Sequence, residues 1–165
     1  MDRAVSLKIQ IRPITEVFEN RKRQMGKIET IVSDTWLNEY GGSFERFAFN
    51  VPVWLNPPIK NATLSDVERR SEGPEPYRVD MVGSFGDEVE LIEVKESANM
   101  TAIGQLLTYR MLFMRSYFGF RVVHLRIVCS AARDAIVESA KENGINLDQM
   151  YEKCDHLIKA VRRGD

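Results

Sequence analysis

The sequence predicts a single α/β domain built on a mixed sheet, and three observations carry that reading. The 165 residues fit the usual size of one domain and suffice to bury a real core. At 44% hydrophobic and 28% charged, the chain has a globular composition rather than a disordered or fibrous one. Its hydrophobic pattern switches between strand and helix periods in the order α, β, β, β, α, β, α, α, without repeats or low-complexity tracts. One domain over 1–165 follows.

Each element has a local cause. Val5, Leu7, Ile9 and Ile11 alternate with polar residues, so 1–14 reads as an extended segment ending near Pro13. From about Thr15 to Tyr40 the spacing of Met25, Ile28, Val32 and Trp36 is helical, and Gly41-Gly42 stops the helix. Phe44–Leu55 is rich in aromatic and β-branched residues and reads as a strand closed by Asn56-Pro57-Pro58. Residues 56–77 form a polar insertion carrying Pro57, Pro58, Pro74 and Pro76, in which Ser65 and Glu68 are spaced to cap one short helical turn. Two strands, Tyr77–Phe85 and Glu88–Lys95, are joined by Gly86-Asp87. A long helix is expected over Asn99–Phe118, a strand over Arg121–Cys129, and helices over Ala131–Asn143 and Asp148–Arg163.

Composition removes several classes of function. With 23 Lys and Arg against 24 Asp and Glu, the net charge is −1, which excludes a polybasic chain while allowing a local basic surface. The longest apolar run, Met111–Met114, is far below the roughly 20 residues that span a bilayer. The N-terminus lacks the apolar core of a signal peptide, so a cytoplasmic location is expected. Cys129 and Cys154 stand alone, without CxxC spacing or a histidine cluster, and read as small buried hydrophobes. Without a secretion signal, the sequons at Asn61 and Asn99 read as chance matches.

The chemistry concentrates in Arg78-Val79-Asp80 and in Leu91-Ile92-Glu93-Val94-Lys95. Glu93 and Lys95 are two apart, so a strand presents both on one face. A two-residue loop at Gly86-Asp87 pairs Phe85 with Glu88, and counting back along the ladder sets Asp80 opposite Glu93. Such partners have Cβ atoms roughly 4.5–5.5 Å apart, close enough for like charges to repel. A four-residue loop would leave the two as diagonal neighbours instead. Paired carboxylates suit a hard divalent cation, Mg²⁺ or Mn²⁺, and Lys95 beside it would stabilise charge at a phosphoryl centre or position an attacking water.

Asp80 followed by Glu93-Val94-Lys95 resembles the PD-(D/E)xK nuclease superfamily, the restriction-endonuclease-like and Holliday-junction-resolvase-like enzymes. Gly104-Gln105-Leu106-Leu107-Thr108-Tyr109 is similar to the Gln-then-Tyr pattern that many members carry on the next helix. The likeness spans roughly Ile28 to Cys129, and it departs from the pattern at Val79, where the motif has Pro. It implies a restriction-endonuclease-like α-β-β-β-α-β core and a metal-dependent deoxyribonuclease leaving 5′-phosphate and 3′-hydroxyl ends. Asp80, Glu93, Lys95 and Gln105 would be catalytic, with Asp80, Glu93, the Val94 carbonyl and an acid of the first helix around the ion. That acid would be Glu29, with Glu39 the alternative.

Gln105 and Tyr109 share a helix face, and Gly104 before them is expected to let that helix pack closely on the sheet. His124 reads as structural and His156 as exposed. Residues 97–133 hold five basic and no acidic side chains, and residues 1–27 seven basic against three acidic, which fits DNA or an ordinary solvated surface equally. One small domain offers a single site, so cutting both strands predicts a homodimer, with Val5–Ile11 at its interface. The alternatives to a deoxyribonuclease are a non-catalytic nucleic-acid-binding or assembly protein of the same fold, and a nuclease acting on RNA.

Overall fold

A computed structural model describes residues 25–55, 76–117 and 120–164. The extended arm, the first half of the helix read from Thr15 and nearly all of the polar insertion lie outside the described residues. The elements are α1 (Lys27–Tyr40), β1 (Arg46–Val53), β2 (Tyr77–Phe85), β3 (Glu88–Ser97), α2 (Met100–Ser116), β4 (Val122–Ala131), α3 (Asp134–Glu142), β5 (Ile145–Gln149) and α4 (Tyr151–Arg163). A single 3₁₀ turn, Gly41–Ser43, follows α1.

The five strands form one sheet in chain order. β1, β2 and β3 are antiparallel neighbours, and β3, β4 and β5 run parallel. Each parallel step is bridged by a helix, α2 then α3, as parallel neighbours require. Gly86 has φ +62° and Asp87 does not have positive φ, the backbone signs of a type II′ hairpin, and Phe85 pairs with Glu88 as the loop chemistry predicts.

Side-chain alternation sorts the core onto two faces. On β3, Val89 and Leu91 join Leu106, Phe113 and Ile127 in one cluster, with Ile136 of α3 packed against it. Ile92 and Val94 join Val32 and Trp36 of α1 and Cys154 and Ile158 of α4 in the other. Buried hydroxyls pin α2 in place: Tyr117 Oη donates to the Pro52 carbonyl at 2.6 Å, and Ser116 Oγ accepts from the Trp54 amide at 2.9 Å.

The sequence pattern missed one strand. Residues 145–149 read as the linker and start of the last helix, yet Leu125–Cys129 pairs with Ile145–Gln149 as β5. This five-residue strand has only one buried position, Ile145, so its pattern is too short to register. The two cysteines are buried and unpaired, as expected. No helix among the described residues is long and apolar enough to cross a membrane.

Candidate active site

The predicted residues meet where β2 and β3 part. The paired register runs from Phe85↔Glu88 to Met81↔Ile92 and stops there, so the expected ladder partnership of Asp80 with Glu93 does not form. In its place Asp80 Oδ2 accepts the Val94 amide at 2.8 Å, the carboxylate standing where a strand carbonyl would. The cause lies partly on the other side of β2. The β1–β2 register includes Phe49↔Met81 and Val51↔Val79 but skips Asn50 and Asp80, and Asn50 has φ +52°. Asn tolerates that left-handed conformation better than most residues, and an irregularity there frees β2 to turn Asp80 between the strands. No reading of the Phe-Asn-Val run showed this; an Asn inside an aromatic and β-branched strand was the available signal.

Glu93 is buried, only 2% exposed, and so is not part of a solvated face. Its Oε1 meets Lys95 Nζ at 2.6 Å, while Oε2 is buried with no hydrogen-bond partner. Burial first, and the Asp80 charge second, push the Glu93 carboxyl up to about 7. Asp80 is also raised, mainly by burial, which outweighs the Val94 amide and the Lys95 charge. For Lys95, burial alone works to lower the pKa. The bond to Glu93 and the charges of Glu93, Asp80 and Glu29 outweigh it, so the net shift is upward and the ammonium stays charged.

Glu29 and Glu39 sit at opposite ends of α1. The Glu29 charge is felt weakly at Asp80, Glu93 and Lys95. Its own Oε2 accepts the Gly26 amide at 3.1 Å. Glu39 lies at the far end of α1, exposed and paired with Lys153. On the α2 side, Gln105 Nε2 donates to Tyr109 Oη at 3.2 Å, and Gln105 Oε1 is buried without a partner. Burial and the Glu93 charge raise the Tyr109 hydroxyl, keeping it protonated. Gly104 does not serve close packing as expected: it is exposed, and a Cβ there would meet nothing within 4 Å.

Among the described residues, no three His, Cys, Asp or Glu side chains converge into a metal-holding group by themselves. The oxygen donors at hand are Asp80, Glu93 and the Val94 carbonyl, which shares the strand edge of the Val94 amide that Asp80 accepts. A carboxylate pair with one buried, orphaned oxygen on Glu93 fits a hard cation, whose charge would offset both desolvation and mutual repulsion.

Comparison with protein-family models, with curated proteins and with solved structures gave no match.

Proposed function

We propose that this protein is a metal-dependent nuclease that hydrolyses phosphodiester bonds in DNA, on a core of restriction-endonuclease-like type. The observation that carries the reading is the Asp80–Glu93 pair, Glu93 buried and Asp80 half-buried, standing where two central strands part and answered by the cation of Lys95. The described order α1-β1-β2-β3-α2-β4, with β3 and β4 parallel, is compatible with that core.

Asp80, Glu93 and the Val94 carbonyl would hold Mg²⁺ or Mn²⁺, with Glu29 as an outer carboxylate. The ion would supply Lewis-acid polarisation of the phosphoryl oxygen. Lys95 is charged, hence a donor rather than a base, and stabilises the negative charge that builds on the phosphoryl oxygens. Gln105 offers an acceptor with nothing to accept, suited to orienting a water. Tyr109 orients Gln105 through the 3.2 Å hydrogen bond. Incubation with plasmid, linear, branched and single-stranded DNA, and with RNA, in Mg²⁺ and in Mn²⁺ tests the proposal. Cleavage that EDTA abolishes is expected. Binding without turnover under every condition would replace it with a non-catalytic nucleic-acid protein.

A further inference from the structure

The opposite face of the sheet carries a second, unrelated constellation. On β3, Glu88 and Glu90 alternate away from Glu93 and Lys95 and so lie on the other side of the strand. His124 and Arg126 of β4 and Asn146 and Asp148 of β5 complete three polar pairs on neighbouring strands, tied by Glu90↔His124 and Arg126↔Asn146. Together they line a cavity of about 490 Å³, within the range of small-molecule sites. Two residues further along, the same face is apolar at Ile92 and Val128, where α1 and α4 cover it. Packing therefore does not call for these polar residues.

Their arrangement is rigid. Arg126 donates from Nε to Glu90 Oε2 at 3.0 Å and from NH1 to Asp148 Oδ2 at 2.7 Å, and lies over the Trp36 ring at 5.7 Å. Trp36 Nε1 also donates to Asp148 Oδ2, at 2.7 Å, while Asp148 Oδ1 takes no hydrogen bond among the described residues. Aromatic rings form the wall as an unbroken series of contacts: Tyr40 on Trp36 at 6.0 Å, Trp36 on Phe44 at 5.8 Å, Phe44 on Phe85 at 5.5 Å, and Phe85 stacked on His124 at 5.7 Å.

Charge selects the ligand. Among the lining side chains, the carboxylates of Glu88, Glu90 and Asp148 outnumber the one guanidinium of Arg126; Glu88 Oε2 also meets His124 Nε2 at 2.7 Å, and its Oε1 lies 3.7 Å from the exposed Arg121 guanidinium outside the cavity. An anion is disfavoured. A planar cation matches both features, since it stacks on rings and donates N–H groups to carboxylates.

We propose that this cavity is a second ligand site, which takes a planar organic cation of the guanidinium class held by the aromatic wall and the Glu88 and Asp148 carboxylates. That group occurs in small free molecules and in arginine side chains of peptides, so both belong in the test. Calorimetric titration of the full chain with agmatine, with a blocked Gly-Arg-Gly peptide and with inorganic phosphate distinguishes them. Binding of agmatine or of the peptide with Kd of about 1 mM or tighter is expected, with no binding of phosphate. Agmatine alone would assign a small-molecule ligand, and the peptide alone an arginine-bearing partner. Glu88→Gln should weaken the interaction by about tenfold and Glu88→Lys should abolish it, in proteins whose melts remain cooperative. Failure of both cations to bind the wild type, preference for phosphate, or equal affinity in Glu88→Lys would overturn the proposal. Lys95→Ala should leave this binding intact, so the outcome is independent of the nuclease reading.

Discussion

Asp80 and Glu93 carry like charges close together, and here Glu93 is buried and Asp80 half-buried as well. Burial raises both carboxyls, so without a cation the pair is an electrostatic cost to the fold. A divalent ion should therefore raise the melting temperature of the wild type, by binding the folded state alone. Asp80→Asn keeps the shape and removes one charge. It should be at least as stable as wild type in EDTA and should lose most of the shift produced by millimolar Mn²⁺. Equal metal responses in thermal melts of the two proteins would remove Asp80 from the site. Lys95→Ala tests the other half of the constellation. Cleavage should fall by about 100-fold or more while DNA affinity, measured by anisotropy in Ca²⁺, stays nearly unchanged.

At the level of elements, α2 and β2 each depart from regularity for a different reason. β2 is interrupted at Asp80 on both of its edges, and that break opens the gap the carboxylate fills. α2 contains Gly104 at an exposed position whose Cβ would find open space. Nothing in the packing of the helix needs a glycine there. Gly104→Ala should accordingly stabilise the protein by about 1 kcal/mol, read as a higher midpoint in urea. A destabilised variant would mean that the helix approaches a neighbour more closely at Gly104 than the open space around it allows. Gly83 offers the contrast, since a Cβ there would lie 2.5 Å from the Phe44 ring. Gly83→Ala should cost roughly 1–3 kcal/mol through displacement of that ring from the cavity wall.

For the molecule as a whole, the raised carboxyls set a pH dependence with a definite sign. Glu93 has an ordinary value of 4.5 and a folded value of about 7, so the folded chain holds a proton that the unfolded chain releases between them. Stability from this group is fully present below the unfolded value and is lost as pH rises through the folded one. Metal-free protein should thus melt at lower temperature at about pH 8 than at about pH 5, and Glu93→Gln should flatten the trend. Mn²⁺ should restore stability at the higher pH, where it replaces the proton. A metal-free melting temperature that is flat or rising over this interval would count against a buried Glu93 beside the Asp80 charge.

The α/β class, the hairpin register from Phe85 back to Met81, the long helix α2 with Gln105 and Tyr109 on one face, and the nearness of Asp80, Glu93 and Lys95 were legible in the sequence. They depend on side-chain period, on turn chemistry and on spacing within one or two neighbouring elements, and these are local quantities. Gly86 alone determines the loop that brings Asp80 near Glu93. Tertiary structure decided what locality does not reach. Which acid of α1 has its charge felt at Asp80 and Glu93 depends on where that helix lies against the sheet, and β5 exists because β4 offers Ile145–Gln149 a parallel edge. The Asp80–Val94 bond needs the irregularity at Asn50, on a strand 30 residues away. The second cavity draws its six polar residues from three strands of a face whose polarity is invisible until the strands are in register. Contacts between residues distant in the chain depend on how the elements pack, and neither composition nor period records that.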